Sequence, residues 1–247
     1  MEKKFEKIYH QLEKSHWWFK SRREVVYNFV KGFENKKVLD IGCSGGQFLE
    51  LLLSKGALKE NLYGIDISQK GVEICLKKGL LNCQVMDATN LNFPIGFFQI
   101  LIASDCLEHI QNDELALKSW YSATAPGGRI VVFVPAFRFL WSSHDDYNLH
   151  FRRYTNSELR KKMEAVGFRV IRSGYWNFFL FFPIVFVRFF KRILAKLGYS
   201  PEMDSDLKPV NPLVNFFLLA LLRFENHLLK FIDFPFGAST FCIAQKV

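Results

Sequence analysis

The 247-residue sequence has only five cysteines, Cys43, Cys75, Cys83, Cys106 and Cys242, with no C-x-x-C pair and no Cys/His cluster. An odd, scattered set excludes a disulfide framework and a sequence-local zinc site, and fits a reducing compartment. Long apolar runs are also lacking. The longest charge-free stretches are Ser173–Val187, 15 residues, and Pro209–Leu222, 14 residues, and both contain proline. A spanning helix needs roughly 18–20 such residues. Residues 1–20 alternate charge with aromatics and lack the apolar core of a secretory signal. The sequence therefore reads as cytoplasmic, with a peripheral position on the cytoplasmic face of a membrane left open. No repeat or low-complexity linker is seen, and the oligomeric state is not encoded legibly.

Basic charge is present in excess but is not spread evenly. Lys and Arg number 33 against 24 acids. Residues 38–149 hold 8 basic and 12 acidic groups, whereas residues 150–200 hold 11 and 2. Of 27 phenylalanines, 13 lie in residues 178–236. A uniformly basic nucleic-acid binder would not concentrate its charge this way, so one specialised surface is expected and nucleic acid is disfavoured as partner. Apolar residues make up 49% of the chain, enough for a real core.

Periodicity gives a helical N-terminal region over 2–31, with Phe5, Ile8, Tyr9 and Leu12 at spacings of three and four. An alternation follows: strands at Lys37–Ile41, Asn61–Ile67, Asn82–Met86, Phe97–Ala103, Arg129–Val134, Phe168–Ser173 and Thr240–Gln245. Helices are expected at Gln47–Lys55, from the N-cap Ser68 to Lys78, at Asp113–Ala125, and from Thr155 to Val166, where Glu158 completes a capping box. Pro126-Gly127-Gly128 reads as a turn. Alternating strands and helices imply an α/β fold, a Rossmann-like, seven-stranded, mostly parallel sheet with helices on both faces. The domain division is an N-terminal helical cap over 1–35, a core over 36–174 plus 237–247, and a helical insertion over 175–236 between the last two strands.

The chemistry sits after the first strand, in Val38-Leu39-Asp40-Ile41-Gly42-Cys43-Ser44-Gly45-Gly46. Glycines allow a tight turn and close ligand approach, and the following helix N-terminus presents free N–H groups. Asp66 ends the second strand, where a carboxylate can accept ribose hydroxyls. Asp87 ends the third, where it can accept from an exocyclic amine. Ligands bind outside the carboxyl ends of such strands at the switch point, and all three acids fall there. The dinucleotide pattern G-x-G-x-x-G does not match Gly42–Gln47.

These segments, with Tyr63–Ser68, Val85–Ala88, Ser104-Asp105-Cys106-Leu107-Glu108-His109-Ile110 and Pro126–Gly128, resemble the ordered motifs of class I S-adenosylmethionine-dependent methyltransferases. The nearest subset is the quinone-biosynthesis and small-molecule type, with a methyltransferase type 11/12-like domain. The resemblance covers residues 36–174 and 238–247. It implies S-adenosylmethionine as cofactor, held by Asp40, Gly42, Cys43, Ser44 and Gly46 of the loop. Asp66 and Ile67 would hold the ribose, Asp87 and Ala88 the adenine, and Ser104 and Asp105 the methionine end. Ser44 departs from the family, which has glycine there.

Methyl transfer requires an aligned acceptor in a dry site and, for a hydroxyl or acidic carbon, a base. The loop after the fifth strand, Pro135–Tyr154, supplies the candidates. His144 and His150 are its only imidazoles, with Asp145 to orient one of them, and these three are the catalytic candidates. Five residues between the histidines is a poor spacing for a metal on a helix, so no metal site is expected. Arg152, Arg153 and Tyr154 are candidates for substrate binding, or for fixing the loop through Asp145 and Asp146. Ser15–Arg23 contains Trp17 and Trp18, read either as a lid over the substrate or as helix packing, and Arg22, within reach of the cofactor's carboxylate. The loop and this segment are similar to those of methyltransferases encoded near lipid- and glycan-assembly enzymes.

In the insertion, Arg188, Lys191, Arg192 and Lys196 form one helical stripe opposite Phe186, Phe189, Phe190, Ile193 and Leu197. A second helix, Leu213–Lys230, repeats the design. Basic amphipathic helices lie readily in an anionic membrane surface; a helical cap packed on itself and a dimer interface are the competing readings. The function expected is methyl transfer to an amphipathic small-molecule or lipid-like acceptor, such as a prenylated quinone precursor or lipid-linked glycan. The alternatives are a nucleic-acid or protein methyltransferase, against which the missing Asn/Asp-Pro-Pro-Tyr/Phe signature speaks, and a non-catalytic cofactor-binding partner of membrane enzymes.

Overall fold

Seven strands form one sheet in the order β3-β2-β1-β4-β5-β7-β6 in a computed structural model describing residues 12–32, 35–197 and 208–247. The strands are β1 Val38–Ile41, β2 Leu62–Asp66, β3 Cys83–Val85, β4 Phe98–Ser104, β5 Thr124–Pro135, β6 Phe168–Trp176 and β7 Ser239–Lys246. β1 to β5 are mutually parallel, and β7 lies antiparallel between β5 and β6. The fold class and the mostly parallel sheet expected from the sequence are therefore present. Because β1 is flanked by β2 and β4, the chain leaves it both ways, and a crevice opens at the carboxyl ends of β1 and β4.

Strand alternation sorts the core into two layers. Ile130, Val132 and Val134 of β5 face one cluster, and Val131 and Phe133 face the other. The first layer is covered by α4 (Asp113–Ala123) and α6 (Asn156–Ala165) through Leu117, Trp120, Leu159 and Met163. The second is covered by α1 (Trp17–Phe29), α2 (Gln47–Ser54), α3 (Gln69–Lys77) and α8 (Pro212–Leu228). Local signals act as read. Ser68 accepts the Gly71 N–H at 3.0 Å, and Thr155 and Glu158 form their capping box.

The boundaries differ in a few places. The N-terminal helical region is interrupted at His16, whose Nδ1 accepts the Trp18 N–H and starts α1; residues 1–11 lie outside the described residues. Pro126–Gly128 is not a separate turn but the beginning of β5, where a register irregularity against β4 absorbs it. β6 runs to Trp176, three residues beyond its expected end, because β7 pairs with it throughout.

Among the described residues the insertion holds two helices, α7 (Phe181–Lys196) and α8. α8 buries Leu219, Leu222, Glu225 and Asn226 against the body. α7 buries Phe181 alone. Its Phe186 and Phe189 remain 63% and 59% exposed, and α8 leaves Phe216, Phe217 and Phe224 exposed. The expected apolar faces thus exist, and no element among the described residues covers them. No helix among the described residues is long and apolar enough to cross a membrane.

Candidate active site

The crevice is built by a loop that leaves β1 through positive backbone angles. Gly42 and Gly46 have φ of 78° and 74°, and Ser44 takes 48°. The left-handed region costs a serine more than a glycine. Asp66 holds it there, its Oδ2 accepting the Ser44 N–H at 2.8 Å while Oδ1 accepts the Ser68 N–H at 2.8 Å. Burial pushes the Asp66 carboxyl up, against the pull of those two N–H groups. Asp40 is pushed up to about 8, by burial first and then by Cys75, Asp66 and Glu13. Asp87 accepts from the Thr89 N–H and hydroxyl, both at 2.8 Å, and Ala88 is buried with its carbonyl bonded by Trp120 Nε1. Ile67 stands 80% exposed beside the Asp66 carboxylate. The Ser44 hydroxyl reaches Glu13 Oε2 at 3.1 Å, so the segment before α1 arches over this loop, which the sequence did not signal.

At the end of β4, Asp105 sits at φ 57° with the Ser104 hydroxyl donating to it at 3.0 Å. Arg22 donates to Asp105 at 3.2 Å and to the Ser239 hydroxyl at 2.8 Å. Its guanidinium lies 4.9, 4.3 and 4.2 Å from the ring centres of Trp18, Phe133 and Trp176. Nη1 is buried and has no hydrogen-bond partner among the described residues. A buried, unpaired guanidinium N–H beside the strand ends fits a ligand carboxylate. Together with the acids after β1, β2 and β3, it gives the crevice the donors and acceptors that S-adenosylmethionine requires.

Next to it opens a cavity of about 410 Å³. Trp17 and Trp18 of α1, Asp105, Glu108 and His109 after β4, and Ser142, His144, His150 and Arg153 after β5 line it. Its outer wall is the insertion: Asn177, Pro183, Ile184, Val187, Arg188 and Lys191. Asp145, on the short α5 (Ser143–Tyr147), has no exposed surface and holds two side chains of this loop. Its Oδ1 accepts from His150 Nδ1 at 2.9 Å and from Arg153 Nε at 2.7 Å, and its Oδ2 from Arg153 Nη2 at 3.0 Å. Burial opposes its charge, but the bonds from His150 and Arg153 prevail and hold the carboxyl far below its usual range. An ionised carboxylate only accepts, so the His150 proton nearest Asp145 sits on Nδ1, and in the neutral ring Nε2 is the acceptor. The His109 ring lies 4.5 Å from the His150 ring, and His144 stands 6.1 Å away with Asn148 Nδ2 at 3.1 Å from its Nδ1. His16, also in the wall, is pushed down to about 4 by burial.

Of the three residues expected either to bind substrate or to fix the loop, Arg152 and Tyr154 do not line the cavity. Arg152 pairs with Asp113 at 3.0 Å, and the buried Tyr154 hydroxyl donates to the same carboxylate at 2.8 Å, so both tie the loop to the start of α4. Arg153 does line it, but is bonded to Asp145 and to the Ala136 carbonyl. The basic stripe of α7 likewise turns toward the site. Arg188 and Lys191 line the cavity, and Arg192 donates to the Phe139 and Trp141 carbonyls. Among the described residues, two groups that sequence spacing hides could hold a metal: Cys43, Cys75 and Cys83, all buried, and Glu108, His109 and His150.

Known proteins share this fold and its family model. A family model described as "Methyltransferase domain" matches residues 16–173, from α1 to β6, and stops where the insertion begins. A ubiquinone biosynthesis O-methyltransferase of Idiomarina loihiensis is 25% identical over 134 residues, covering 47% of this chain and 54% of that one. Phosphoethanolamine N-methyltransferase 1 of Arabidopsis thaliana is 28% identical over 119 residues, 44% of this chain and 23% of that one. The chain thus spans about half the length of the first relative and about a quarter of the second. The crystal structure of a SAM-dependent methyltransferase from Archaeoglobus fulgidus superposes with a TM-score of 0.61 at 20% identity, over 97% of this chain and 99% of that one.

Proposed function

The chain belongs to the methyltransferase-domain family, and from that premise we propose that it transfers a methyl group from S-adenosylmethionine to an amphipathic small-molecule acceptor held at a membrane surface. The observation that carries this reading is the junction of two sites. A crevice with Asp66, Asp87 and the unpaired Arg22 Nη1 adjoins a cavity that contains an Asp145-backed imidazole. Asp66 and Ile67 would hold the ribose, Asp87 and Ala88 the adenine, and Arg22 with Asp105 the amino-acid end. When bound, the cofactor supplies an electrophilic methyl group on a sulfonium.

The rest falls to the chain's own side chains. His150 Nε2 accepts the proton that the acceptor loses, and Asp145 stabilises the imidazolium that results. Trp17, Trp18 and the α7 wall exclude water. The exposed phenylalanines of α7 and α8 would enter the interface of an anionic membrane and bring the cavity to its acceptor. Relatives acting on ubiquinone precursors and on phosphoethanolamine support a small-molecule acceptor.

Calorimetry with S-adenosylmethionine, followed by mass spectrometry of lipid extracts incubated with protein and cofactor, tests the reading. A product heavier by one CH₂ that depends on the protein is expected. If the intact protein does not bind the cofactor, the enzymatic reading is lost. If it binds cofactor but stays unbound in flotation with anionic liposomes at low salt, the membrane part alone is lost.

A further inference from the structure

Three of the five cysteines meet beneath the glycine loop. Cys43 lies in that loop, Cys75 on α3 and Cys83 at the start of β3, and their sulfurs all lie within 4.8 Å of one another. Their residues are 4%, 0% and 4% exposed. A single buried thiol packs like a small apolar side chain and says nothing about function. Three sulfurs that converge from three separate elements are a ligand set.

The backbone makes room for them on two sides. A Cβ on Gly64 of β2 would stand 2.8 Å from both Cys43 Sγ and Cys83 Sγ. One on Gly46 would stand 2.9 Å from Cys75 Sγ. A side chain at either position would drive into the sulfurs. The Ser44 carbonyl faces the same point, accepting from Cys75 Sγ at 3.3 Å and from Cys43 Sγ at 3.9 Å. No His, Asp or Glu among the described residues joins the group at that spacing.

The geometry is close to that of a bound ion. Sulfurs held about 2.3 Å from a metal lie about 3.8–4.0 Å from one another, in trigonal or tetrahedral arrangement. The three sulfurs would therefore close by about 1 Å at most. Thiolates select soft cations, whereas magnesium and calcium take oxygen ligands. Three sulfurs alone suit cuprous copper. With the Ser44 carbonyl oxygen as a fourth ligand, they suit zinc.

We infer that Cys43, Cys75 and Cys83 form a three-thiolate site for one thiophilic cation, cuprous copper or zinc, which staples the glycine loop to α3 and β3. Each thiol gives its proton to solvent as it ligates, three sulfur–metal bonds form, and no electron moves. None of the three lines the acceptor cavity, and the site stands whatever the acceptor is.

The intact chain, stripped of metal and kept free of oxygen, is titrated with Cu(I) against bicinchoninate and with Zn(II) against a chromogenic zinc indicator. One ion per chain should bind and raise the melting midpoint, because it favours the folded form. X-ray absorption at the metal edge should show three sulfurs at about 2.3 Å. A shell of sulfur alone identifies copper as the ion that fits, and an added oxygen identifies zinc. Cys75→Ser and Cys83→Ser should each weaken the ion by about 100-fold or more, since even outer-shell partners are worth about 10–100-fold. Cys242→Ser, outside the cluster, should bind as the intact chain does. Circular dichroism without metal shows which variants fold. If one serine variant does not, the other and the absorption spectrum of the intact chain decide. Failure of both ions to bind at one per chain, a shell with fewer than three sulfurs, or an affinity unchanged by loss of Cys75 or Cys83 overturns the inference.

Discussion

With no surface in water, Asp145 keeps its charge because a guanidinium and an imidazole both bond to it, and in the proposed mechanism the proton transfer depends on that arrangement. Asp145→Asn frees the His150 tautomer, and turnover measured with labelled cofactor should fall by roughly 10²–10⁴, the usual range for loss of a positioned base. Its pKa is depressed in the folded state, so its stabilisation is present above the unfolded value near 3.9 and is lost as pH falls through the folded value. Melting midpoints of the intact protein and of Asp145→Asn should therefore differ at pH 6 and converge in strong acid. Asp40 has the opposite sign. Raised to about 8, it binds a proton in the folded state that the unfolded chain releases near pH 4, and so stability falls across that window as pH rises. Asp40→Asn should gain in melting midpoint over the intact protein, by more at pH 8 than at pH 5. Asp66→Ala, followed by calorimetry, should weaken S-adenosylmethionine by about 10–100-fold, the worth of a charged hydrogen-bond pair.

Among the elements, α7 departs furthest from the packing of a globular helix. It runs sixteen residues and buries one, whereas α8 anchors itself through Leu219, Leu222, Glu225 and Asn226. Side chains that bury nothing contribute little to folding, so Phe186→Ser with Phe190→Ser should leave the melting midpoint almost unchanged. Flotation with anionic liposomes should fall by at least tenfold, since each phenylalanine entering the interface contributes about 1.5–3 kcal/mol. The aromatic face was legible in the sequence from its spacing alone. The destination of the basic stripe was not, because helical periodicity states which residues share a face and not what that face meets. Arg188 and Lys191 line the cavity, and Arg192 bonds the loop after β5, 53 and 51 residues earlier in the chain.

Across the whole molecule, sequence reasoning recovered what depends on local order: strand alternation, the caps at Ser68 and Thr155, the glycine loop, and the acids closing β2 and β3. It missed what depends on distant segments meeting. Asn177 is unremarkable between Trp176 and Phe178 until Glu225 clamps it, and Cys43, Cys75 and Cys83 are far apart in the chain but adjacent in space. Arg22 shows both sides. Its role near the cofactor was suggested by the N-terminal motif, whereas its partners Asp105, Ser239 and Trp176 come from three other parts of the chain. Cofactor binding should consequently stabilise the entire body, by about 2.7 kcal/mol at a concentration 100 times its Kd, measurable as a raised melting midpoint.

The two ends of the insertion meet at its base. Tyr175 bridges to Phe234, the Asn177 carbonyl bonds Ala238, and Gly237 packs so closely on the Trp176 backbone that no side chain would fit between them. Exchange at the clasp would disturb the core, because α8 carries Leu222 into it and bonds Ser21 through Asn226. The outer helix α7 buries one residue and is the part that can be swapped as a cassette. Chimaeras that replace α7 alone should fold, and under the proposed function they would show how far a new acceptor preference can be acquired in a single genetic step.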